Sequence, residues 1–560
     1  MEVASLGVYS ATHFSVLSMD ALFLAIAFAC GLLVRQVGLP PLVGFLGAGF
    51  VLHALGQTGG VTLDEIADLG VKLMLFAIGL KLRIRSLLRP EIWGGTSIHS
   101  SIVVVVFGLL FFGASHLGLQ TLAGFDFATS FLLSFALSFS STVFAIKILE
   151  ENGEMGSLHG RATVGILIMQ DLIAVVFLTL SLGKIPSLWA IPLVIGLIAA
   201  RPLIGLLVSR SGHGEMTTLC GLFLALVLGA YAFEWVGLKG DLGALFIGIL
   251  IGQHPKAKEI SKSLVSITDL FLVGFFLSIG LKGLPSWDGL VASVILLLLI
   301  PFKSALFFFI LTRFNLRSRT SWMGSLHLST YSEFGLIVIA VGSAKGWISE
   351  EWLVNLAIAV SLSFLAAAPF NRRAESAYRL LHERLLRFET AGHHPDDLPV
   401  NTEHERIAIF GMGRMGLSVY TYLNNQFPGR VIGFDMDPVQ VATHQNLNRN
   451  VVLADATDSD FWEKVKIDQD IELVVLAMPK HAANLHAADV LKETGYEGVV
   501  TTTAKFDDEV RELRELGVDS AFNFYNEAGA GFSRHVSSVL KQQRPDLLME
   551  LRQAPREENG

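Results

Sequence analysis

The sequence predicts a polytopic α-helical membrane domain followed by a C-terminal α/β Rossmann-like domain, and three observations carry that prediction. Hydrophobic residues make up 52 % of the 560, charged residues 16 %, and mean hydropathy is +0.55. An ordinary soluble chain holds about 25 % charged residues. The charge is unevenly placed: residues 1–370 hold 21 Lys/Arg and 20 Asp/Glu, whereas residues 371–560 hold 21 and 30. Near residue 410 a short apolar strand runs into a glycine turn and a helix, the opening of a nucleotide-binding unit. These observations exclude a single soluble enzyme, a secreted disulfide scaffold and a nucleic-acid binder driven by basic charge. They divide the chain into 1–370 (membrane), 371–402 (amphipathic helix and linker), 403–540 (nucleotide-binding) and 541–560 (polar tail).

A bilayer core takes roughly 17–25 apolar residues per helix. Apolar runs meet that need near 19–36, 40–56, 65–83, 95–117, 127–149, 160–182, 188–209, 217–236, 241–253, 263–281, 288–312, 321–344 and 350–370. The ninth is short and reads as a half-helix or a re-entrant piece. Met1 to Ser18 holds no Lys or Arg, so the first span is expected to be retained rather than cleaved as a signal peptide. Cys30 and Cys220 lie in apolar runs and read as core residues.

Loop cations set the orientation. One set of alternating loops holds Arg35, Lys81, Arg83, Arg85, Arg89, Lys147, Arg161, Arg201, Arg210, Lys256, Lys258, Lys262, Arg313, Arg317 and Arg319; the other holds Lys184, Lys239, Lys282 and Lys345. The basic set is cytoplasmic by this rule. The N-terminus is then periplasmic and the acidic C-terminal domain cytoplasmic.

Ionisable residues within spans are costly and mark function. Lys72, Asp171, Glu234, Lys303 and Glu333 are such residues. Asp171, after Gln170, sits halfway along the sixth span. A carboxylate there is protonated, paired or facing water, so its energy depends on proton or cation occupancy. The plainer alternative is a packing Asp paired with Lys303 or Lys72. Two spans look broken, at Ser138-Phe-Ser-Ser-Thr142 (Ser140, Ser141, Thr142) and at Ser329-Thr-Tyr-Ser-Glu-Phe-Gly335. They are seven spans apart and so of opposite polarity, which suggests inverted repeats with crossed broken helices. Glu333 and Lys303 are then placed to neutralise the helix ends.

After Phe370, Asn371 to Phe388 reads as an amphipathic helix, and Ala391 to Pro399, with His393 and His394, as a linker. Next come Gly411-Met-Gly413-Arg414-Met415-Gly416, a helix at Leu417 to Leu423, a strand at Val431 to Phe434, then Asp435 and Met436. Strand, glycine turn, helix, strand and acid form the dinucleotide fingerprint in its required context. Asp455-Ala456-Thr457 follows a third strand and is expected on the adenosine side; Ile471 to Ala477 and Gly498 to Thr503 supply more strands. The residues after them leave no room for a catalytic domain, so a nucleotide here reads as a structural or regulatory ligand.

On these motifs, with Phe275-Phe-Leu-Ser-Ile-Gly-Leu281, the chain resembles the Kef-type potassium/proton antiporters of the monovalent cation:proton antiporter superfamily. The resemblance implies an elevator-type homodimer in a bacterial inner membrane, not an enzyme. Asp171 would bind K⁺ and H⁺ in competition, beside Gln170, with Lys303 and Glu333 supporting the crossover. AMP or NAD(H) would occupy the tail domain, and glutathione would gate some members. The loop Gln253 to Lys262 is basic here, where gated members carry an acidic one, and Thr501-Thr-Thr-Ala-Lys505 replaces an arginine-rich stretch. Arg414 and Asn526 are the remaining candidates for an anion site, and Lys256, Lys258 and Lys262 for docking on the acidic tail. Sodium/proton exchange, a nucleotide-gated channel and a membrane-anchored oxidoreductase stand as alternatives. Any ancillary subunit is unassigned by sequence.

Overall fold

The computed structural model describes residues 21–36, 41–57, 61–81, 87–117, 124–181, 187, 189–238, 240–284, 286–392, 394–397, 404–458, 460–462, 471–546 and 549. Arg83, Arg85, Lys184, Lys239, His393, the first 20 residues and most of the polar tail therefore lie outside the described residues. The chain forms two units: residues 1–148 with 162–394, and residues 149–161 with 395–560.

In the first unit each predicted apolar run holds helix among the described residues, with breaks at 139–141 and 328–332. The helices are α1 (Ala21–Gln36), α2 (Pro41–Ala54), α3 (Val61–Lys81), α4 (Pro90–His116), α5 (Phe127–Ser138), α6 (Thr142–Asn152) and α7 (Leu158–Ser181). There follow α8 (Ala190–Ala199), α9 (Arg201–Arg210), α10 (Glu215–Trp235), α11 (Gly240–Ile251) and α12 (Ala257–Leu281). The set ends with α13 (Trp287–Leu298), α14 (Ile300–Arg313), α15 (Ser318–His327), α16 (Glu333–Ala344), α17 (Glu351–Arg372) and α18 (Ala374–Leu386). Among the described residues seven helices are long and apolar enough to cross a bilayer, eight if the bent pair α8–α9 is one span. The run expected as a span at 188–209 is helical on both sides of a 55° bend between α8 and α9. Pro202 is the cause: its ring excludes a continuous hydrogen-bond ladder.

Two apolar clusters organise the unit. One joins α4–α7, α13, α14, α16 and α17 through Phe107, Phe111, Phe139, Phe334 and Phe364. The other joins α3 and α8–α12 through Phe76, Leu224, Ile247 and Ile260. Within the second, α3 and α11 touch backbone to backbone: a Cβ on Gly79 would lie 2.5 Å from the Leu245 carbonyl oxygen, and one on Gly248 2.4 Å from that of Phe76. Small residues at such seams are how apolar helices approach closely in lipid. A π-helical stretch, Phe223–Tyr231, lies within α10.

The amphipathic helix α18 begins at Ala374 rather than Asn371, because α17 runs on to Arg372. It is tied to α15. Arg319, counted among the loop cations, is 2 % exposed and pairs bidentately with Glu375 at 2.9–3.2 Å. Trp322 Nε1 donates to the Ala374 carbonyl at 3.0 Å.

The second unit is a six-stranded, all-parallel sheet in the order β3-β2-β1-β4-β5-β6. The strands are β1 (Ile407–Phe410), β2 (Val431–Asp435), β3 (Val451–Leu453), β4 (Leu473–Leu476), β5 (Val499–Ala504) and β6 (Ser520–Asn523). Its helices are α19 (Arg414–Gln426), α20 (Pro438–Gln445), α21 (His481–Thr494), α22 (Asp507–Glu515) and α23 (Phe524–Gln543). This order reverses beside β1, where doubly wound sheets bind nucleotides. Strands β1, β2 and β4 are almost wholly buried, as their near-continuous apolar sequences require. Strand β6 escapes sequence reading because it is four residues of mixed polarity at a sheet edge.

Candidate functional site

Both predicted breaks exist, and they meet. Helix α5 ends at Ser138 and α6 starts at Thr142; α15 ends at His327 and α16 starts at Glu333. The two extended segments bond across each other. Ser140 Oγ donates to the Leu328 carbonyl at 2.9 Å, and the Ser141 amide donates to Thr330 Oγ1 at 3.3 Å. Helix α7 closes the third side. Gln170 accepts the Ser140 amide at 2.9 Å and donates to the Ser138 carbonyl at 3.2 Å. It thereby satisfies one donor and one acceptor that the break in α5–α6 takes out of helical pairing.

Asp171 is 1 % exposed, and Thr142 Oγ1 donates to its Oδ2 at 3.1 Å. Its Oδ1 has no hydrogen-bond partner. Glu333 repeats the pattern: Ser141 Oγ donates to its Oε2 at 3.1 Å, while Oε1 is without a partner. Two buried carboxyl groups thus each keep one oxygen open, and a proton or a cation is what such an oxygen requires. The alternative in which Lys303 or Lys72 pairs with Asp171 is not what the structure contains. Lys72 bonds Asp68 and Glu234, each at 2.8 Å. Lys303 is fully buried and donates to the carbonyls of Phe139 at 2.5 Å and Thr330 at 2.9 Å.

These partners follow the helix dipoles. Phe139 caps the C-terminus of α5, and Thr330 lies in the segment after α15, so the Lys303 ammonium meets the negative ends. Glu333 heads α16, and Thr142, which holds Asp171, heads α6, so the carboxyl groups meet the positive ends. Sequence reading names Lys303 and Glu333, holds Thr330 and Tyr331 only as part of the second break with no part of their own, and misses His99. Tyr331 donates to the Leu296 carbonyl at 2.6 Å, and its amide to Ser363 Oγ at 3.1 Å. His99 stacks on Phe307 with ring centroids 3.5 Å apart. A Thr-Tyr pair inside an otherwise apolar span was the available signal for Thr330 and Tyr331; nothing in sequence announces His99.

In the second unit the fingerprint residues lie in the turn after β1, at the start of α19 and at the end of β2. Gly411 has φ +91°, open to glycine alone without strain, and a Cβ on Gly416 would lie 1.9 Å from the Gly411 carbonyl oxygen. A Cβ on Gly413 would meet nothing within 4 Å, which leaves an open approach to the N-terminus of α19, where Arg414 and Met415 form the first turn. Asp435 accepts the amides of Met412 at 2.8 Å and Asp437 at 2.9 Å, and so holds the end of β2 against the glycine turn. Asp455 Oδ1 accepts both the amide and hydroxyl of Thr457, while its shielded Oδ2 has no partner. Ala456 is buried and its carbonyl takes the Trp462 indole. An open glycine turn at a helix N-terminus, an acid at the end of β2 and an orphaned oxygen at Asp455 fit an adenine nucleotide.

Of the remaining expected residues, Asn526 and Lys256 are occupied elsewhere. Asn526 donates to Asp507 Oδ1 at 3.0 Å. Lys256 Nζ donates to the carbonyls of Ser209 at 3.2 Å and Gly212 at 2.7 Å, closing the end of α9, while Lys258 and Lys262 are exposed. No group of three or more His, Cys, Asp or Glu that would hold a metal occurs among the described residues.

Residues 24–371 match the model of the transmembrane sodium/hydrogen exchanger family, and residues 407–524 that of the TrkA-N domain. The glutathione-regulated potassium-efflux system protein KefC of Enterobacter sp. (strain 638) is 27 % identical over 515 residues, 87 % of this chain and 79 % of its own length. KefC of Escherichia coli O45:K1 is 26 % identical over 510 residues, 86 % of this chain and 79 % of its own. Among solved structures, the sodium proton antiporter MjNhaP1 from Methanocaldococcus jannaschii is 14 % identical, with a TM-score of 0.46, covering 66 % of this chain and 99 % of its own.

Proposed function

The chain belongs to the transmembrane sodium/hydrogen exchanger family and carries a TrkA-N domain, and from that premise we propose that it is a potassium/proton antiporter regulated by an adenine nucleotide. One observation carries the reading: the Asp171 carboxyl is buried where two broken helices cross, with one oxygen held by Thr142 and the other open. That oxygen takes a proton or an alkali cation, and occupancy by one excludes the other. Gln170, Ser140 and Ser141 keep the crossing intact, and Glu333 and Lys303 balance its helix ends. Potassium is favoured over sodium by the curated relatives, which are named as potassium-efflux proteins.

The exchange cycle is of the elevator type in this reading. The α5–α7 and α15–α16 group moves as a body, and the glycine-seamed helices α2, α3, α11 and α12 serve as its scaffold. A second copy completes the molecule. Helix α23 supports this, for it buries no residue and leaves Phe532 68 % exposed with Val536 and Val539. The loop cations argue for a periplasmic N-terminus and a cytoplasmic TrkA-N domain, in a bacterial inner membrane.

AMP or NAD(H) would be held by Gly411, Gly413 and Gly416 at its phosphate and by Asp435 and Asp455 on the sugar and base side. The nucleotide supplies phosphate charge and binding energy at the N-terminus of α19. Glutathione remains a ligand to test rather than to assign, since Asn526 is engaged with Asp507.

The test is flux into vesicles containing the purified full chain and a pH-sensitive dye. K⁺ added outside should collapse an imposed pH gradient, and Na⁺ should do so at least tenfold less well. Equal or better collapse by Na⁺ makes it a sodium/proton antiporter, and ion flux without proton movement makes it a channel.

A further inference from the structure

The second unit contains one piece of chain from far outside the nucleotide domain, residues 149–161. This is the loop between α6 and α7. Gly153, at φ +77°, ends α6; Glu154–Gly156 form a 3-10 turn; Ser157 accepts the Gly160 amide at 3.0 Å and starts α7.

Within that unit the loop is gripped along its length. A Cβ on Gly153 would lie 2.7 Å from the Ala483 Cβ, and one on Gly156 2.7 Å from the Met436 Sδ, so both positions admit only glycine without a shift. Lys480 Nζ donates to the Glu150 carbonyl at 3.0 Å. Glu154 is 4 % exposed, with His159 Nε2 at 3.4 Å and His486 Nδ1 at 3.6 Å. Arg161 Nη1 donates to the carbonyls of Gly156 at 2.6 Å and Met436 at 2.8 Å, and Nη2 to Asp396 at 3.3 Å.

Met436 is the residue after Asp435, whose Oδ2 takes the Met412 amide and pins the glycine turn to β2 while its Oδ1 takes the Asp437 amide. Arg161 therefore bonds the rim of the candidate nucleotide site directly. It also lies in the first turn of α7, ten residues before Asp171 on the same helix, about 15 Å along the axis. The other stem of the loop, α6, begins at Thr142, which holds Asp171 Oδ2. Both helices that carry the ion-site carboxyl and its donor thus enter this one loop.

We propose that the Leu149–Arg161 loop is the element through which nucleotide occupancy controls exchange, with Arg161 as a positioning residue that reads the Met436 carbonyl. A nucleotide fixes the end of β2, the Met436 carbonyl keeps its place, and Arg161 holds the cytoplasmic ends of α6 and α7. Without nucleotide the β2 end relaxes, the guanidinium loses a fixed acceptor, and the two helices are released. This inference rests on the antiporter reading.

The experiment uses the full chain in vesicles, with AMP and NADH as probes. Wild type should show potassium/proton exchange rates differing at least threefold with and without saturating nucleotide. Arg161→Gln and Glu154→Gln should bring that ratio to about one while nucleotide affinity changes less than twofold. Arg161→Lys, which keeps a donor for the carbonyl, should restore part of the ratio. A merely structural role would lower rates and stability and leave the ratio intact. Hydrogen–deuterium exchange on the same protein gives a readout that needs no transport: AMP or NADH should slow amide exchange in residues 153–161 of wild type and not of Arg161→Gln. A nucleotide-insensitive wild type, an Arg161→Gln that keeps the ratio, or unchanged amide exchange in the loop overturns the inference and leaves the antiporter reading standing. Absent exchange with normal loop protection overturns the antiporter reading instead.

Discussion

At the scale of single residues, the crossing is a balance of two carboxyl groups and one ammonium, each against a helix end of opposite sign. Asp171 is the group that a proton or a cation can complete. Asp171→Asn keeps the shape and the acceptor for Thr142 but cannot ionise. It should reduce exchange to the background of empty vesicles while the protein still elutes as a single species. Lys303 has a different part, since it satisfies the carbonyls of Phe139 and Thr330 and forms no ion pair with Asp171. Lys303→Ala leaves those buried acceptors bare, at roughly 1–3 kcal/mol each. A fall in melting temperature, read by intrinsic fluorescence in detergent, checks this. Asp171 and Glu333 were legible in the sequence because an acid at membrane depth is costly and rare, and so stands out in an apolar run. Thr142 and Gln170 were legible by adjacency to a break and to the acid. The partner of each was not, since Thr142 to Asp171 spans 29 positions and Ser141 to Glu333 spans 192.

At the scale of elements, a broken helix leaves amides and carbonyls that must find partners off the helix. Gln170 supplies two of them to the α5–α6 break. Gln170→Leu removes both, so it should lower thermal stability and slow exchange together, measured on one preparation. In the nucleotide unit the limiting element is the glycine turn. The 1.9 Å approach at Gly416 leaves no room for a methyl group, and Gly416→Ala should weaken AMP or NADH binding at least tenfold by calorimetry on the full chain. Tyr496 offers a pH test of the same unit. Its hydroxyl donates to the Ile471 carbonyl at 3.0 Å, and burial, with Glu472 and Asp519 nearby, pushes the phenol above its ordinary value. A value raised in the folded state means that the contribution is complete below about pH 10 and is lost as pH rises beyond it. Tyr496→Phe should remove that alkaline loss of stability, read in melts between pH 9 and 11. The breaks and the glycine turn could be read from sequence because hydroxyls in an apolar run and a spaced glycine triplet are local signals. The π-helical stretch in α10 was not read, since neighbours decide it rather than local pattern; β6 is too short and mixed in polarity to stand out, and the bend at Pro202 went unread although the proline is a local signal.

At the scale of the whole molecule, the proposed sharing of one acid by two ions would make exchange a competition. Lowering pH should raise the half-saturating K⁺ concentration, by about tenfold per pH unit once the carboxyl is mostly protonated, with little change in maximal rate. A half-saturation that stays flat down to the lowest pH at which exchange is measurable in vesicle flux would remove Asp171 as the shared site.

The sequence alone determined the class of molecule. Hydrophobic length fixes what lies in lipid, charge density marks where the membrane portion ends, and the strand–glycine–helix–acid pattern specifies a parallel nucleotide-binding sheet, because each of these is a property of neighbouring residues. Only the tertiary structure decided that Asp171 meets Thr142 rather than a lysine, and that Lys303 serves backbone carbonyls. It also decided that a loop near residue 155 belongs with strands more than 250 residues later. Those outcomes depend on which buried polar atoms find partners when distant helices cross, and no local pattern carries that information.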